Sequence, residues 1–350
     1  MTITPEALVR PNIRSLKPYR SARQDHVSGI LLDANENAFG SASTVDGLSL
    51  NRYPDPFQKN LRSRIASLQG VALENIFVGV GSDEVIDLLI RVFCEPQRDS
   101  VMILEPTYGV YRVAADVNNV RVHSCLLDDA FQIDTKAVAN IRDKTLKMVF
   151  CCSPNNPTGN LLRRQDILKL CSGTEAMIVV DEAYFDFAQT ESLISAISEY
   201  PNLVVLRTLS KAWGMAAIRL GYAVADPGVV GYLMKVKAPY NINILTSEEA
   251  LRALGHEDHV RNSVSSTIAE RERLVRELAK IPSVGTIFPS DANFLLVRFS
   301  QARAVYEYLA QSGIIIRDRS SEPKLAGCLR ISVGTPDQND LLLTALKEHA

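Results

Sequence analysis

LVVLRTLSKAWGMAAIRLGYAV, residues 203–224, holds two apolar runs joined by a polar segment that carries a lysine. Leu203–Leu206 and Leu220–Val224 are too short for helices, and polar residues or glycine bound them, so they read as strands. The same texture recurs upstream at Ile76–Val80, Val101–Leu104, Val120–Cys125, Met148–Cys152 and Met177–Val180. Helical spacing separates most of these runs, as with Phe57, Leu61, Ile65 and Leu68, or with Val85, Leu88, Leu89 and Val92 within Asp83–Phe93. Strands alternating with helices predict an α/β fold: a mainly parallel, seven-stranded sheet covered by helices on both faces.

From about Thr246 the pattern changes. A charged helix over roughly His259–Lys280 precedes strands expected at Phe294–Phe299, Ile314–Ile316 and Leu329–Val333. Thr335 followed by Pro336 marks a helix start. The expected organisation is an N-terminal arm (1–45) joining the small domain, a large domain (46–245) and a smaller α+β domain (246–350).

Bulk properties exclude several function classes. With 350 residues and a formal net charge of −2, spread along the chain, there is no basic footprint for nucleic acid or for a membrane surface. No apolar run is long enough to span a bilayer. The N-terminus has no apolar leader region, which makes the cytoplasm the expected location. The six scattered cysteines read as buried free thiols. His256 and His259 have no further ligands at metal spacing, so no metal is expected. No G-x-x-x-x-G-K-[ST] occurs, and Glu84 stands where a dinucleotide fingerprint needs its third glycine.

In open α/β sheets the ligand site lies beyond the carboxyl ends of the strands. The segments that follow the strands here are chemically specific. Gly81-Ser82-Asp83-Glu84 opens a helix and offers free N–H groups to a phosphate, provided the two acids turn outward or cap the helix. Glu105-Pro106-Thr107-Tyr108 offers Tyr108 as cover for a planar ring. Ser153-Pro154-Asn155-Asn156-Pro157-Thr158-Gly159 holds Asn156 as a directional donor. Asp181, which closes an apolar strand, needs a cationic partner. Lys211 is expensive if buried and charged but not if it is bonded to a carbonyl; Ser210 and Arg219 flank it and can serve a phosphate. Together these groups match what pyridoxal 5'-phosphate requires. Asp181 would keep the pyridine nitrogen protonated, Asn156 and Tyr184 would bind the ring hydroxyl, and Lys211 would carry the Schiff base and shuttle the proton at the substrate Cα.

SPNNPTG, DEAY and SKAWGMAAIRLGY, in this order and spacing, resemble the fold type I pyridoxal-phosphate aminotransferases. LDANENAFG, NRYPDP, GSDE, EPTYGVY, SDANFLLVRF, GIIIRDRS and GCLRISVGT extend the resemblance, through almost the whole chain, to the histidinol-phosphate aminotransferase family. Ala38, Trp213 and Ala217 stand where that family usually has Pro, Phe and Gly.

The resemblance implies that Tyr53 reaches the coenzyme phosphate of a neighbouring subunit in a homodimer with shared sites. It implies that Tyr19, Asn35, Arg317 and Arg330 contact the substrate. The implied reaction transfers an amino group between histidinol phosphate and 2-oxoglutarate/glutamate. A pair of arginines can grip either the phosphate-bearing substrate or a carboxylate. An aromatic amino-acid aminotransferase and a phosphothreonine decarboxylase share the cofactor and differ in the side-chain pocket and in the Cα bond that is broken.

Overall fold

The computed structural model of the protein describes residues 4–24, 29–141 and 143–349; residues 1–3 and 25–28 of the expected arm lie outside the described residues. Seven strands form the large sheet: β1 (Ile76–Val80), β2 (Ser100–Glu105), β3 (Arg121–Leu126), β4 (Leu146–Cys152), β5 (Met177–Asp181), β6 (Leu203–Thr208) and β7 (Leu220–Ala225). Their order is β1-β7-β6-β5-β4-β2-β3. The pairs β2–β3, β2–β4, β4–β5 and β5–β6 are parallel, whereas β7 runs antiparallel to both β6 and β1. A parallel return needs a crossover of about a dozen residues or more. The link 209–219 is too short and irregular for one, so it doubles back. Its residues therefore stay at the carboxyl ends of β1, β4, β5 and β6.

Both faces of the sheet are buried. On β5, Ile178 and Val180 join the core on one side, and Met177 and Val179 join the core on the other. Each such side chain contributes about 1.5–3 kcal/mol. Strand parity then fixes where the next residue points. Asp181 falls on the side of Met177 and Val179, as Cys152 falls on the side of Met148 and Phe150.

The second sheet is antiparallel, with β8 (Val284–Ile287), β9 (Phe294–Phe299), β10 (Arg317–Asp318) and β11 (Cys328–Ser332) in the order β10-β11-β9-β8. Helices Glu257–Leu278, Ala302–Gln311 and Pro336–Glu348 pack over it. The last of these starts with a full capping box between Thr335 and Gln338.

Three expectations need correction. The strand expected at Ile314–Ile316 is the two-residue β10, because the chain leaves the preceding helix at Gly313 (φ 78°) and pairs with β11 only from Arg317. Ile314 and Ile316 pack on the small core without pairing. The arm does not join the small domain over residues 4–14, because Leu8 and Val9 are buried in the large-sheet core and Arg10 N–H donates to Val92 O at 3.0 Å. The segment after 245 still packs on the large unit: Thr246 Oγ1 donates to Ile218 O (3.1 Å), and helix Ile244–Ala253 packs on helix Lys59–Gln69. All six cysteines are free and buried. No helix among the described residues is long and apolar enough to cross a membrane.

Candidate active site

The large sheet's carboxyl edge opens into a cavity. Gly81, Ser82, Asp83, Tyr108, Asn156, Asp181, Tyr184, Ser210, Lys211 and Arg219, all expected from the sequence, line it. Cys152, Ala183 and Thr208 complete the wall.

One end of the cavity is a helix N-terminus. Helix Gly81–Phe93 starts directly after β1, and Gly81 has φ 74°. That left-handed φ favours glycine, and Arg219 Nη2 lies beside the turn, 2.9 Å from where a Cβ would stand. From below, a Cβ on Gly221 would come within 2.2 Å of Ser82 N, so β7 supports the turn through bare backbone. Glu84 caps the helix as expected: its Oε2 accepts from Val80 N–H and from Asn241 Nδ2 (3.0 Å). Asp83 does not turn outward. It accepts from Tyr108 Oη (3.2 Å) and pairs with Arg219 Nη2 (3.4 Å), inside the site.

The cavity floor carries the buried acid. Asp181 is 3% exposed; its Oδ1 accepts from Ala183 N–H (3.0 Å) and its Oδ2 from Tyr111 Oη (2.8 Å). Burial pushes its pKa up to about 6, against the pull of these two donors and of Lys211. Tyr111 has no role in the sequence reading, although it lies in the EPTYGVY motif. Its only sequence signal is its position three residues after Tyr108, at the start of helix Val110–Val117.

The SPNNPTG loop divides its asparagines. Asn155 is structural: it donates to Pro106 O (2.9 Å) and Thr158 Oγ1 (2.7 Å) and accepts from Thr107 Oγ1 (2.9 Å). Asn156 faces the cavity and donates to Tyr184 Oη at 3.5 Å, while its Oδ1 accepts from Arg330 Nη1 at 2.5 Å. Burial raises the Tyr184 pKa, so its hydroxyl stays protonated.

Lys211 lies three residues beyond the end of β6 rather than at its end. Its Nζ sits 5.3 Å from the Tyr184 ring centroid. Lys211 is open to solvent at the cavity mouth, yet partial desolvation by the cavity walls and the nearby Arg330 charge lower its pKa, which favours the neutral, nucleophilic amine.

Arg330 reaches this site from the small sheet, with its guanidinium 5.3 Å from the Phe294 ring centroid. Arg317 lies directly opposite it in the β10–β11 ladder, so the two arginines are cross-strand neighbours rather than residues that follow two strands. Tyr19, Asn35 and Tyr53 are exposed and do not line the cavity within one chain. Tyr53 stacks on Tyr240 at 4.5 Å, and its N–H donates to Glu36 Oε1 (2.7 Å).

A cavity of this chemistry on this sheet defines an aminotransferase, and the class I and II aminotransferase family matches residues 27–346. The histidinol-phosphate aminotransferase of Parabacteroides distasonis is 49% identical over 342 residues, which is 97% of each chain. That of Cytophaga hutchinsonii is 45% identical over 351 residues and the full length of both. The chain belongs to the histidinol-phosphate aminotransferase family. Among solved structures, the Sinorhizobium meliloti histidinol-phosphate aminotransferase in complex with pyridoxal-5'-phosphate superposes with a TM-score of 0.79 at 25% identity, over 90% of this chain and 89% of that one. The Clostridium acetobutylicum enzyme gives a TM-score of 0.79 at 26% identity, over 86% and 91%.

Proposed function

We propose that this aminotransferase moves the amino group of L-histidinol phosphate to 2-oxoglutarate, as a step of histidine biosynthesis, with pyridoxal 5'-phosphate held covalently at Lys211. The observation that carries this reading is the single cavity shared by Lys211, Asp181, Asn156, Tyr184 and Arg219. The residues present fit the coenzyme. A buried carboxylate with no cationic partner in its own hydrogen bonds awaits one, and a bare-glycine helix start beside an arginine suits a phosphate dianion.

In this assignment the Gly81, Ser82 and Asp83 backbone, the Ser210 hydroxyl and Arg219 hold the phosphate. Arg219 must then exchange its contact with Asp83 for the phosphate. Tyr108 covers the ring, Asp181 faces the ring nitrogen, and Asn156 and Tyr184 donate to the ring hydroxyl. Once bound, the coenzyme supplies an electron sink for the pair left at the substrate Cα when its proton departs. Lys211 Nζ carries that proton, and its lowered basicity keeps it able to accept. Arg330, with Arg317 beside it, binds the anionic end of either substrate in turn.

Tyr53, Tyr19 and Asn35 belong, in this reading, to a site completed by a second copy of the chain. The exposure of Ile30 (91%), Leu32 (82%) and Phe39 (101%) on the same segment supports such a partner. Six buried free thiols suit the cytoplasm.

The test is a donor panel with 2-oxoglutarate: histidinol phosphate, phenylalanine, tyrosine and phosphothreonine. Histidinol phosphate should give the highest kcat/KM. Preference for an aromatic amino acid, or CO2 release from phosphothreonine, would overturn the assignment.

A further inference from the structure

Tyr111 is an unassigned group in direct contact with the buried acid. The residue is 0% exposed, and its ring stacks on Phe150 at 4.8 Å with an interplanar angle of 5°. Tyr108 meets it edge-on at 5.6 Å. This packing fixes the ring and aims its hydroxyl at Asp181 Oδ2, 2.8 Å away. Among the described residues the other carboxylate oxygen accepts only from Ala183 N–H, at 3.0 Å. An ionised carboxylate in an apolar setting needs such donors, and Asp181 has one on each oxygen.

We propose that Tyr111 is the positioning residue of this site, which orients Asp181 and keeps it ionised as the counter-charge to the coenzyme's ring nitrogen. The proposal rests on the reading of Asp181 given above. The neighbouring groups leave Tyr111 as the donor to that oxygen. Cys152 Sγ on β4 donates to Pro154 O (3.4 Å), Tyr108 Oη donates to Asp83 Oδ1 (3.2 Å), Tyr184 Oη meets Asn156 Nδ2 (3.5 Å), and Asp83 repels Asp181. Lys211 attracts Asp181 but donates no hydrogen bond to it among the described residues, and its amine is assigned to the coenzyme. Each carboxylate oxygen retains a free lone pair, so the Tyr111 bond leaves room for the ring N–H.

The test compares purified holoenzyme variants by coenzyme dissociation constant, pH titration of the coenzyme absorption bands, kcat and KM. Tyr111→Phe keeps the stacked ring and loses only the hydroxyl. It should keep its melting temperature near wild type, bind coenzyme about 10- to 100-fold more weakly and lose a similar factor in kcat at nearly constant donor KM. Its absorption bands should titrate at lower pH. Phe150→Leu removes the stacking partner and keeps the hydroxyl; it should melt earlier without moving the titration. Unchanged coenzyme affinity and titration in Tyr111→Phe would overturn the proposal, as would Phe150→Leu reproducing both shifts. If Tyr111→Phe does not fold, 3-fluorotyrosine at position 111 gives a stronger donor and must move the titration to higher pH. Asp181→Asn, measured in parallel, separates the two readings. If it behaves as wild type, the role of Asp181 falls. If it is impaired while Tyr111→Phe is normal, only the role of Tyr111 falls.

Discussion

Asp181 costs the coenzyme-free protein stability. Burial raises its pKa from 3.8 to about 6 in the folded chain. Between those values the folded state keeps a proton that the unfolded state has lost, so this contribution falls as pH rises from 3.8 through about 6. Asp181→Asn has no such proton to lose. Coenzyme-free Asp181→Asn should match wild type at low pH, gain across that window and hold an advantage of about 3 kcal/mol above it. Thermal melts at several pH values check this; a gap that stays flat with pH would refute it. The same variant should lose orders of magnitude in turnover, at about 1.4 kcal/mol per tenfold, so stability and activity oppose each other at one side chain. Asp181 was legible in the sequence because a carboxylate that ends an apolar strand has no innocent explanation. Tyr111 was not, because an aromatic at helical spacing looks like core, and its partner lies 70 residues away in the chain.

The helix that opens at Gly81 depends on β7 beneath it. Gly79 and Gly221 face each other across the β1–β7 ladder, and the bare Cα of Gly221 lets Ser82 N approach. Gly221→Ala should lower stability by about 1–3 kcal/mol through overpacking and displace the phosphate seat, which raises the coenzyme dissociation constant. Calorimetry and coenzyme titration read the two effects, and a variant that binds coenzyme normally would show that the seat tolerates the shift. Thr335→Ala is the contrasting change. It breaks a capping box far from the cavity and should cost about 1 kcal/mol while leaving turnover unchanged. Elements with strong periodicity or unbroken apolar runs, such as Ile76–Val80 and Phe294–Phe299, were legible to the residue. The strand at Val284–Ile287 was not, because Gly285 and Thr286 are exposed and break the pattern. The pairing of Arg317 with Arg330 was also hidden, because register depends on where the chain leaves helix Ala302–Gln311.

The two sheets meet over the cavity, and their junction carries function as well as packing. Tyr184 and Ala212 of the large unit share an apolar cluster with Ala292 and Phe294 of the small one. Beside it, Arg330 crosses from β11 to Asn156. That crossing gives Arg330 two effects that one substitution can separate. In the proposed assignment its fork grips the anionic end of both substrates, and its charge helps to hold down the Lys211 pKa. Arg330→Ala should cut kcat/KM by about 100-fold for histidinol phosphate and for 2-oxoglutarate alike, because each half-reaction uses the same guanidinium. It should also move the acidic limb of the kcat profile to higher pH, because Lys211 then holds its proton more tightly. Arg330→Lys restores the charge without the fork. It should return the pH limb towards wild type and leave most of the binding defect in place. Parallel pH–rate profiles of the three proteins with both substrates check this. A defect confined to one substrate would mean that the anions bind at separate places, and an unmoved limb in Arg330→Ala would mean that Lys211 is tuned by desolvation alone.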